Sequence, residues 1–207
     1  MVKRNIKRLI QYKLCLVRFK ELGFETVYSY NLGDAAGVNA TQVRKDFSVY
    51  GIKGNKKGGY NIDYLIIKLN QLFGDNEVKN VIIIGMGNIG RALAQYNPRF
   101  SKKNLQIVAG FDIDPSKQKK IYGIQVYPLD KLSEIIIKLK VTTAILAVPA
   151  QMAQDICNQL ILFGVKGILN FSPIILKVPD EIIINNINLS NEIESIIYNI
   201  REKTLEH

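Results

Sequence analysis

The stretch Val81-Ile82-Ile83-Ile84-Gly85-Met86-Gly87-Asn88-Ile89-Gly90-Arg91-Ala92-Leu93-Ala94 decides the fold. Four β-branched residues run without a polar interruption, as in a strand buried on both faces. A G-x-G-x-x-G turn follows, and a helical pattern follows the turn. The glycine spacing alone is weak; its position between a strand and a helix gives it chemical meaning. Gly85 permits the tight turn, Gly87 lets backbone approach a pyrophosphate, and Gly90 lets the helix pack closely on the strand. The start of the helix then offers N–H groups to the phosphates. The next apolar run ends in Gly110-Phe111-Asp112, and Asp112 stands 22 positions after Gly90. A ribose-binding acid is expected at about 20. A carboxylate there accepts bonds from the adenosine ribose and repels a 2′-phosphate, which favours NAD(H) over NADP(H). Asp114 competes for the role, but Asp112 closes the apolar run. The bland alternative is a strand–helix turn that holds no ligand.

Outward from this motif, the apolar runs 81–84, 107–111, 144–148, 167–169 and 182–184 alternate with the helical segments 88–96, 129–139 and 150–163. That rhythm predicts an α/β unit, a Rossmann-like and mostly parallel sheet with helices on both faces. A terminal helix over about 190–203 carries Ile193, Ile196, Ile197 and Ile200 on one side. The polar run Gly74-Asp75-Asn76-Glu77 separates this unit from the front of the chain, giving domains 1–76 and 77–207.

The front reads differently. Helical spacing covers 5–20 and stops at Gly23. Ser29 is a candidate N-cap for a short helix ending at Ala36, and Thr41 opens another over 41–50. These are helix-turn-helix proportions. Thr41, Gln42, Arg44 and Lys45 lie near the start of the second helix, where a recognition helix meets base edges. Residues 51–60 hold four glycines with Lys53, Lys56 and Lys57, a hairpin wing able to reach phosphates or a minor groove. A helix over 62–73 closes the unit. Residues 1–79 carry 14 basic against 7 acidic residues, so most of the chain's +10 charge lies here. That suits a polyanion, although a solvated basic surface or a protein-contact module reads the same way.

Composition excludes several classes. A 47% hydrophobic fraction is that of a packed protein. No apolar run reaches the roughly 20 residues of a membrane span. Met1–Asn5 has no apolar stretch behind its basic residues, which argues against a signal peptide. Cys15 and Cys157 are far apart and outside any C-x-x-C, so they read as reduced buried thiols of a cytosolic protein. His207, in a tag-like Leu205-Glu206-His207 ending, is the sole histidine, so no usable copy of the commonest general base and metal ligand is expected. A metal site and an enzyme are both disfavoured.

Three blocks carry a family resemblance: Val43-Arg44-Lys45-Asp46-Phe47-Ser48-Val49-Tyr50-Gly51 with the glycine wing to Gly59-Tyr60, then Gly85 to Leu93, then Val165-Lys166-Gly167-Ile168-Leu169-Asn170-Phe171-Ser172-Pro173. In this order they resemble the Rex family of redox-sensing transcriptional repressors. The resemblance implies a cytoplasmic bacterial homodimer. It has a winged helix on double-stranded operator DNA, a Rossmann domain holding NADH or NAD+, and a swapped C-terminal helix. It also implies that NADH releases the operator. Carried residue by residue, it assigns Arg44 and Lys45 to the major groove and Lys56 to the wing; Thr41, Gln42 and Ser48 lie on the same helix, and Lys57 adjoins Lys56 in the wing. Asp112 becomes the ribose acid. The cradle is Gly85, Met86, Gly87, Asn88, Ile89 and Gly90. Tyr96, Ala147-Val148-Pro149 and Phe171-Ser172-Pro173 are assigned to the nicotinamide end. Two positions depart from the family: Leu14 replaces an arginine and Asn188 an aspartate that can pair between subunits. Losing both together avoids a lone buried charge. Lys13 could replace that arginine only if its helix turned.

Two rival functions follow from the same residues. An NAD-dependent oxidoreductase with a basic appendage would need a substrate domain, for which too few residues remain; turnover of 2-hydroxy acids or aldehydes tests it. A nucleotide- or CoA-binding interaction module would use the glycine motif but has no need of the basic wing.

Overall fold

A computed structural model describes residues 2–55, 58–74, 77–101 and 104–205. The chain forms two compact units, Met1–Glu77 and Val78–His207.

The first unit comprises α1 (Val2–Glu21), β1 (Thr26–Val27), α2 (Ser29–Ala36), α3 (Ala40–Val49), β2 (Tyr60–Asn61) and α4 (Ile62–Phe73). Leu9, Tyr12 and Leu16 of α1 recur at helical spacing, as do Ile62, Leu65 and Leu69 of α4. These two stripes bury against Leu32, Val43 and Phe47. Tyr12 and Tyr60 each meet the Phe47 ring edge-on, at 5.6 and 5.2 Å between centroids. Strand β1 pairs antiparallel with β2, and a single bridge joins Asn55 to Gly59. The wing is thus anchored by a strand lying before the helix pair.

Two helix starts differ from the sequence reading. Ser29 is the first residue of α2, and extended Tyr28 precedes it without a side-chain cap. Helix α3 is capped by Asn39, whose Oδ1 accepts the Gln42 N–H at 2.8 Å, so Thr41 lies inside the helix. Asparagine is among the strongest caps because its side-chain oxygen reaches an unpaired first-turn amide. Lys56 and Lys57 lie outside the described residues.

The second unit runs β3 (Lys79–Ile84), α5 (Asn88–Gln95), α6 (Asn97–Ser101), β4 (Leu105–Phe111), β5 (Lys120–Ile121), β6 (Ile124–Tyr127), α7 (Leu132–Lys138), β7 (Thr143–Leu146), α8 (Ala150–Leu162), β8 (Gly167–Asn170), β9 (Ile183–Asn186) and α9 (Leu189–Leu205). Among the described residues the sheet order is β5-β6-β4-β3-β7-β8-β9, parallel throughout except for the β5–β6 hairpin. Successive residues of β3 face opposite sides. Ile82 and Ile84 enter a core with α7 and α8, whereas Val81 and Ile83 enter another with Met86 and Ala94. Both faces are covered, which is why this strand reads as unbroken apolar sequence. The hairpin and α6 were not expected. A 3-10 turn at Leu129–Lys131 occupies the start of the segment 129–139.

Candidate cofactor crevice and nucleic-acid interface

The chain leaves β3 for β4 and β6 on one side, then returns to β7 on the other side of β3. Connections part above the carboxyl ends of β3 and β7, the place where open α/β sheets hold ligands. Gly85 has φ +94, and a Cβ there would collide with the Ala147 carbonyl. A Cβ on Gly90 would overlap the Gly85 carbonyl, so only glycine lets α5 approach β3 this closely. The turn is held from both sides: Gly85 N–H donates to Phe111 O and Ala147 N–H to Ile84 O, each at 2.8 Å.

Asp112 is buried at the tip of β4. Its Oδ2 accepts the Met86 N–H at 2.8 Å, and its Oδ1 accepts the Asp114 N–H at 2.9 Å. Lys117 Nζ lies 3.3 Å from Asp112 Oδ2 and 3.6 Å from Asp114 Oδ2. The acid therefore braces the glycine turn and shares its charge with a lysine. Asp114 instead caps the 3-10 turn Pro115–Lys117, accepting the Ser116 N–H at 3.0 Å. Hydrogen bonds from Ser116, aided by Lys117, hold its carboxyl below the usual carboxylate range. A cavity of about 380 Å³ opens beside these groups, lined by Gly85, Gly87, Asp112, Lys117, Ala147, Val148, Pro149 and Met152 among others.

A second cavity of about 260 Å³ involves Ile89, Phe171, Pro173 and the 187–190 segment, including Asn188. Buried Asn170 pins this loop: its Oδ1 accepts the Ser172 N–H at 2.9 Å, and its Nδ2 donates to Ile174 O at 2.9 Å and Asn186 Oδ1 at 2.8 Å. Ser172 Oγ is buried without a hydrogen-bond partner among the described residues. Such a group in a native fold calls for an explanation, and a bound ligand is one. Asn188 Oδ1 accepts the N–H groups of Ser190 and Asn191, so it caps α9. It performs this task without the charge of an aspartate.

Three of the assigned side chains stand apart from the cavity linings. The Met86 side chain is fully buried beside Gly110, so it offers a ligand only backbone. Tyr96 ends α5, half exposed under the Arg99 guanidinium at 4.9 Å, and lines neither cavity. Asn88 is exposed at the start of α5 and also lines neither.

On α3, Thr41, Arg44, Lys45 and Ser48 are exposed and fall at i, i+3, i+4 and i+7, one helical face. Arg44 donates to Ser29 Oγ at 2.9 Å and to Thr41 Oγ1 at 3.3 Å. Gln42 does not belong to this face. Its Nε2 donates to Asp46 Oδ1 at 2.8 Å, which commits the group expected to read adenine. Sequence reasoning missed the reason. Asp46, 1% exposed, also takes Arg8 Nε at 2.6 Å and Nη2 at 2.7 Å, and Tyr12 OH at 2.9 Å. Burial pushes its carboxyl up, but the bonds from Arg8, Tyr12 and Gln42 outweigh burial and hold it below the ordinary value. Leu14 is half exposed on α1, and neighbouring Lys13 lies over the Phe73 ring.

Residues 3–48 match the family described as "Putative DNA-binding protein N-terminus", and residues 76–174 match "CoA binding domain". The redox-sensing transcriptional repressor Rex of Carboxydothermus hydrogenoformans is 39% identical, the match covering 95% of each chain. That of Anoxybacillus flavithermus is 42% identical over 93% of this chain and 90% of its own. The chain belongs to the Rex family of redox-sensing transcriptional repressors. Among solved structures of Rex proteins, RSP in complex with NAD+ and operator DNA is 33% identical, with TM-score 0.92 over 99% of this chain and 94% of that one. RSP with NADH matches at TM-score 0.87 and 33% identity, over 99% of this chain and 96% of that one. As a Rex protein the chain is a regulator rather than a catalyst. Among its described residues no helix is long and apolar enough to cross a membrane, and no cluster of three metal-ligating side chains occurs.

Proposed function

We propose that this repressor binds its operator through α3 and the wing as a homodimer and leaves it when NADH occupies the crevice. One observation carries the reading. The same chain holds an exposed Thr41/Arg44/Lys45/Ser48 face and a glycine cradle braced by a buried acid at the sheet's switch point. The crevice fits a dinucleotide. Its glycine turn excludes side chains, Asp112 stands where a ribose would lie, and Ser172 Oγ is an unmet polar group near the far end. Gly85, Gly87 and Gly90 would hold the pyrophosphate, with the amides of Asn88 and Ile89. Asp112 would take the ribose hydroxyls. Phe171, Ser172 and Pro173, with Ala147, Val148 and Pro149, would enclose the nicotinamide, and Tyr96 would move with it. NADH and NAD+ differ in ring charge and planarity, and an apolar enclosure favours the neutral ring. Only such a difference in affinity can shift a DNA-competent state.

The homodimer is assigned to α9, whose Ile193, Ile196, Ile197 and Ile200 are all more than half exposed. With Leu14 and Asn188 in place of the family's ion pair, apolar packing carries the coupling. A dimer on two half-sites must hold its recognition helices about 34 Å apart. Motion of the subunits against each other would spoil that spacing.

The test is binding of the full chain to a Rex operator duplex by fluorescence anisotropy, with NADH, NAD+ and CoA in turn. NADH should weaken binding, and linkage requires the operator to weaken NADH by the same factor. A coupling factor near one, or release by CoA instead of NADH, sinks the reading. Truncation before Ser190 should leave monomers with some NADH affinity and no operator binding.

A further inference from the structure

We propose that Tyr28 and Tyr30 form a second contact to the DNA backbone, beside the recognition helix. The proposal rests on the reading of the first unit as a DNA-binding module and adds residues that neither the α3 face nor the wing includes. The two rings are stacked, 5.5 Å between centroids and 14° between planes, and both are exposed. Phe24 and Tyr64 of this unit are also exposed, but Tyr28 and Tyr30 stack face to face.

Their position says what covers them. Ser29, between them in sequence, accepts a hydrogen bond from Arg44 of the exposed α3 face. On the other side, a Cβ at Gly59, at the base of the wing, would meet the Tyr28 ring at 3.2 Å. The segment Tyr28–Tyr30 therefore touches Arg44 of the recognition face through Ser29 and approaches Gly59 through Tyr28. An occupant reaching from Arg44 toward Gly59 would meet it. The first turn of α2 contains no acidic residue, and the surrounding unit is strongly basic, so the complementary occupant is a polyanion. Tyrosine suits a sugar–phosphate strand: its hydroxyl donates to phosphate oxygen, and its ring packs on the sugar. Stacking on Tyr28 fixes Tyr30 before DNA arrives, which lowers the ordering cost of contact. We assign Tyr30 the hydrogen bond to phosphate, and Tyr28 the supporting stack.

A neutral donor has a signature that separates it from lysine. It adds affinity without releasing a counterion, so its removal leaves the salt dependence unchanged. A backbone contact carries no sequence information, so operator and unrelated duplex should lose affinity equally. The experiment compares the full-length parent, Tyr30→Phe, Tyr30→Ala and Tyr28→Leu on both duplexes across a salt series. NADH affinity and sedimentation serve as controls for folding and assembly. Tyr30→Phe, which keeps the ring, should lose about two- to tenfold on both duplexes, the range of one hydrogen bond, with parallel salt slopes. Tyr30→Ala and Tyr28→Leu should lose at least as much. Unchanged affinity in Tyr30→Phe overturns the proposal. A loss confined to the operator would make Tyr30 a base reader and overturns it too. Altered sedimentation in Tyr30→Ala with unchanged DNA affinity would assign the pair to protein contact instead. If the parent binds neither duplex, the DNA-binding reading itself fails, and the proposal falls with it.

Discussion

Replacing Asp46 tests whether the recognition helix is held by a buried ion pair. The carboxylate receives four bonds: two from Arg8, one from Tyr12 and one from Gln42. In Asp46→Ala the Tyr12 hydroxyl, on a fully buried side chain, loses that acceptor, a cost of about 1–3 kcal/mol. Arg8 is a quarter exposed and can turn toward water, so its share falls toward the lower end of the ~3–5 kcal/mol for breaking a buried pair. A total of about 4 kcal/mol is expected from the lower ends of these two contributions. For a unit of this size, ~4–8 °C per kcal/mol implies a midpoint lower by roughly 16–32 °C. Hydrogen–deuterium exchange read by peptide is the suitable assay, because it distinguishes the two units. Protection should fall across α1 and α3 and stay unchanged in the sheet. Asp46→Asn keeps the shape but turns an NH2 toward donors, so it should lose nearly as much. The pH dependence follows from the sign of the shift. The folded carboxyl titrates below its unfolded value of about 3.9. Its contribution is complete above that pH and is lost as pH falls through the folded value. The gap between parent and Asp46→Asn should be constant from pH 8 to 5 and narrow in more acid solution. A thermal midpoint within about 2 °C of the parent for both variants, well under the shift for 1 kcal/mol, would refute the argument.

Other outcomes can be checked in parallel. Gly85→Ala forces a side chain into the Ala147 carbonyl at a positive φ; we expect a loss of about 1–3 kcal/mol in the second unit and a sharp fall in NADH affinity by calorimetry. Asp112→Ala removes the brace on Met86 and leaves Lys117 facing the crevice; NADH should weaken, and its preference over NADPH should narrow or reverse. Equal NADH binding by parent and variant would give the ribose to another group. Lys45→Ala should cost about 1–3 kcal/mol and relax specificity at one base pair if the side chain reads a guanine edge. If it touches only phosphate, the loss will be uniform and the salt slope shallower.

The parallel core of the second unit was legible because β3 is buried on both faces, leaving no polar residue to blur the run. The hairpin of β5 and β6 was hidden for the opposite reason: Lys120 and Gln125 face solvent on two short strands, β5 at the sheet edge and β6 beside it. Helix starts were misread where the better cap lay outside the apolar pattern, as with Asn39 two residues before Thr41. Asp112 stood out by its offset behind the glycines, but Lys117 did not. Its pairing depends on the 3-10 turn that folds five residues back onto the acid. Gln42 shows the limit of reading one helix alone, because the competitor for its amide, Asp46, is itself held from α1.

The internal bracing of the glycine turn has a consequence for what the protein measures. Asp112 and the β3–β4 backbone fix this end of the crevice, and the adenosine and pyrophosphate they would meet are identical in both redox forms. The two forms are then rival occupants of one seat. When both exceed their dissociation constants, the seated fraction of NADH depends on the proportion of the two and no longer on the size of the pool. The set-point is the quotient of the two constants. Changes around Gly85 and Asp112 scale both constants together and leave the set-point alone. On the proposed placement of the nicotinamide, changes around Phe171 and Ser172 would scale them unequally, so that end of the crevice is where selection could retune the threshold while leaving the anchor untouched.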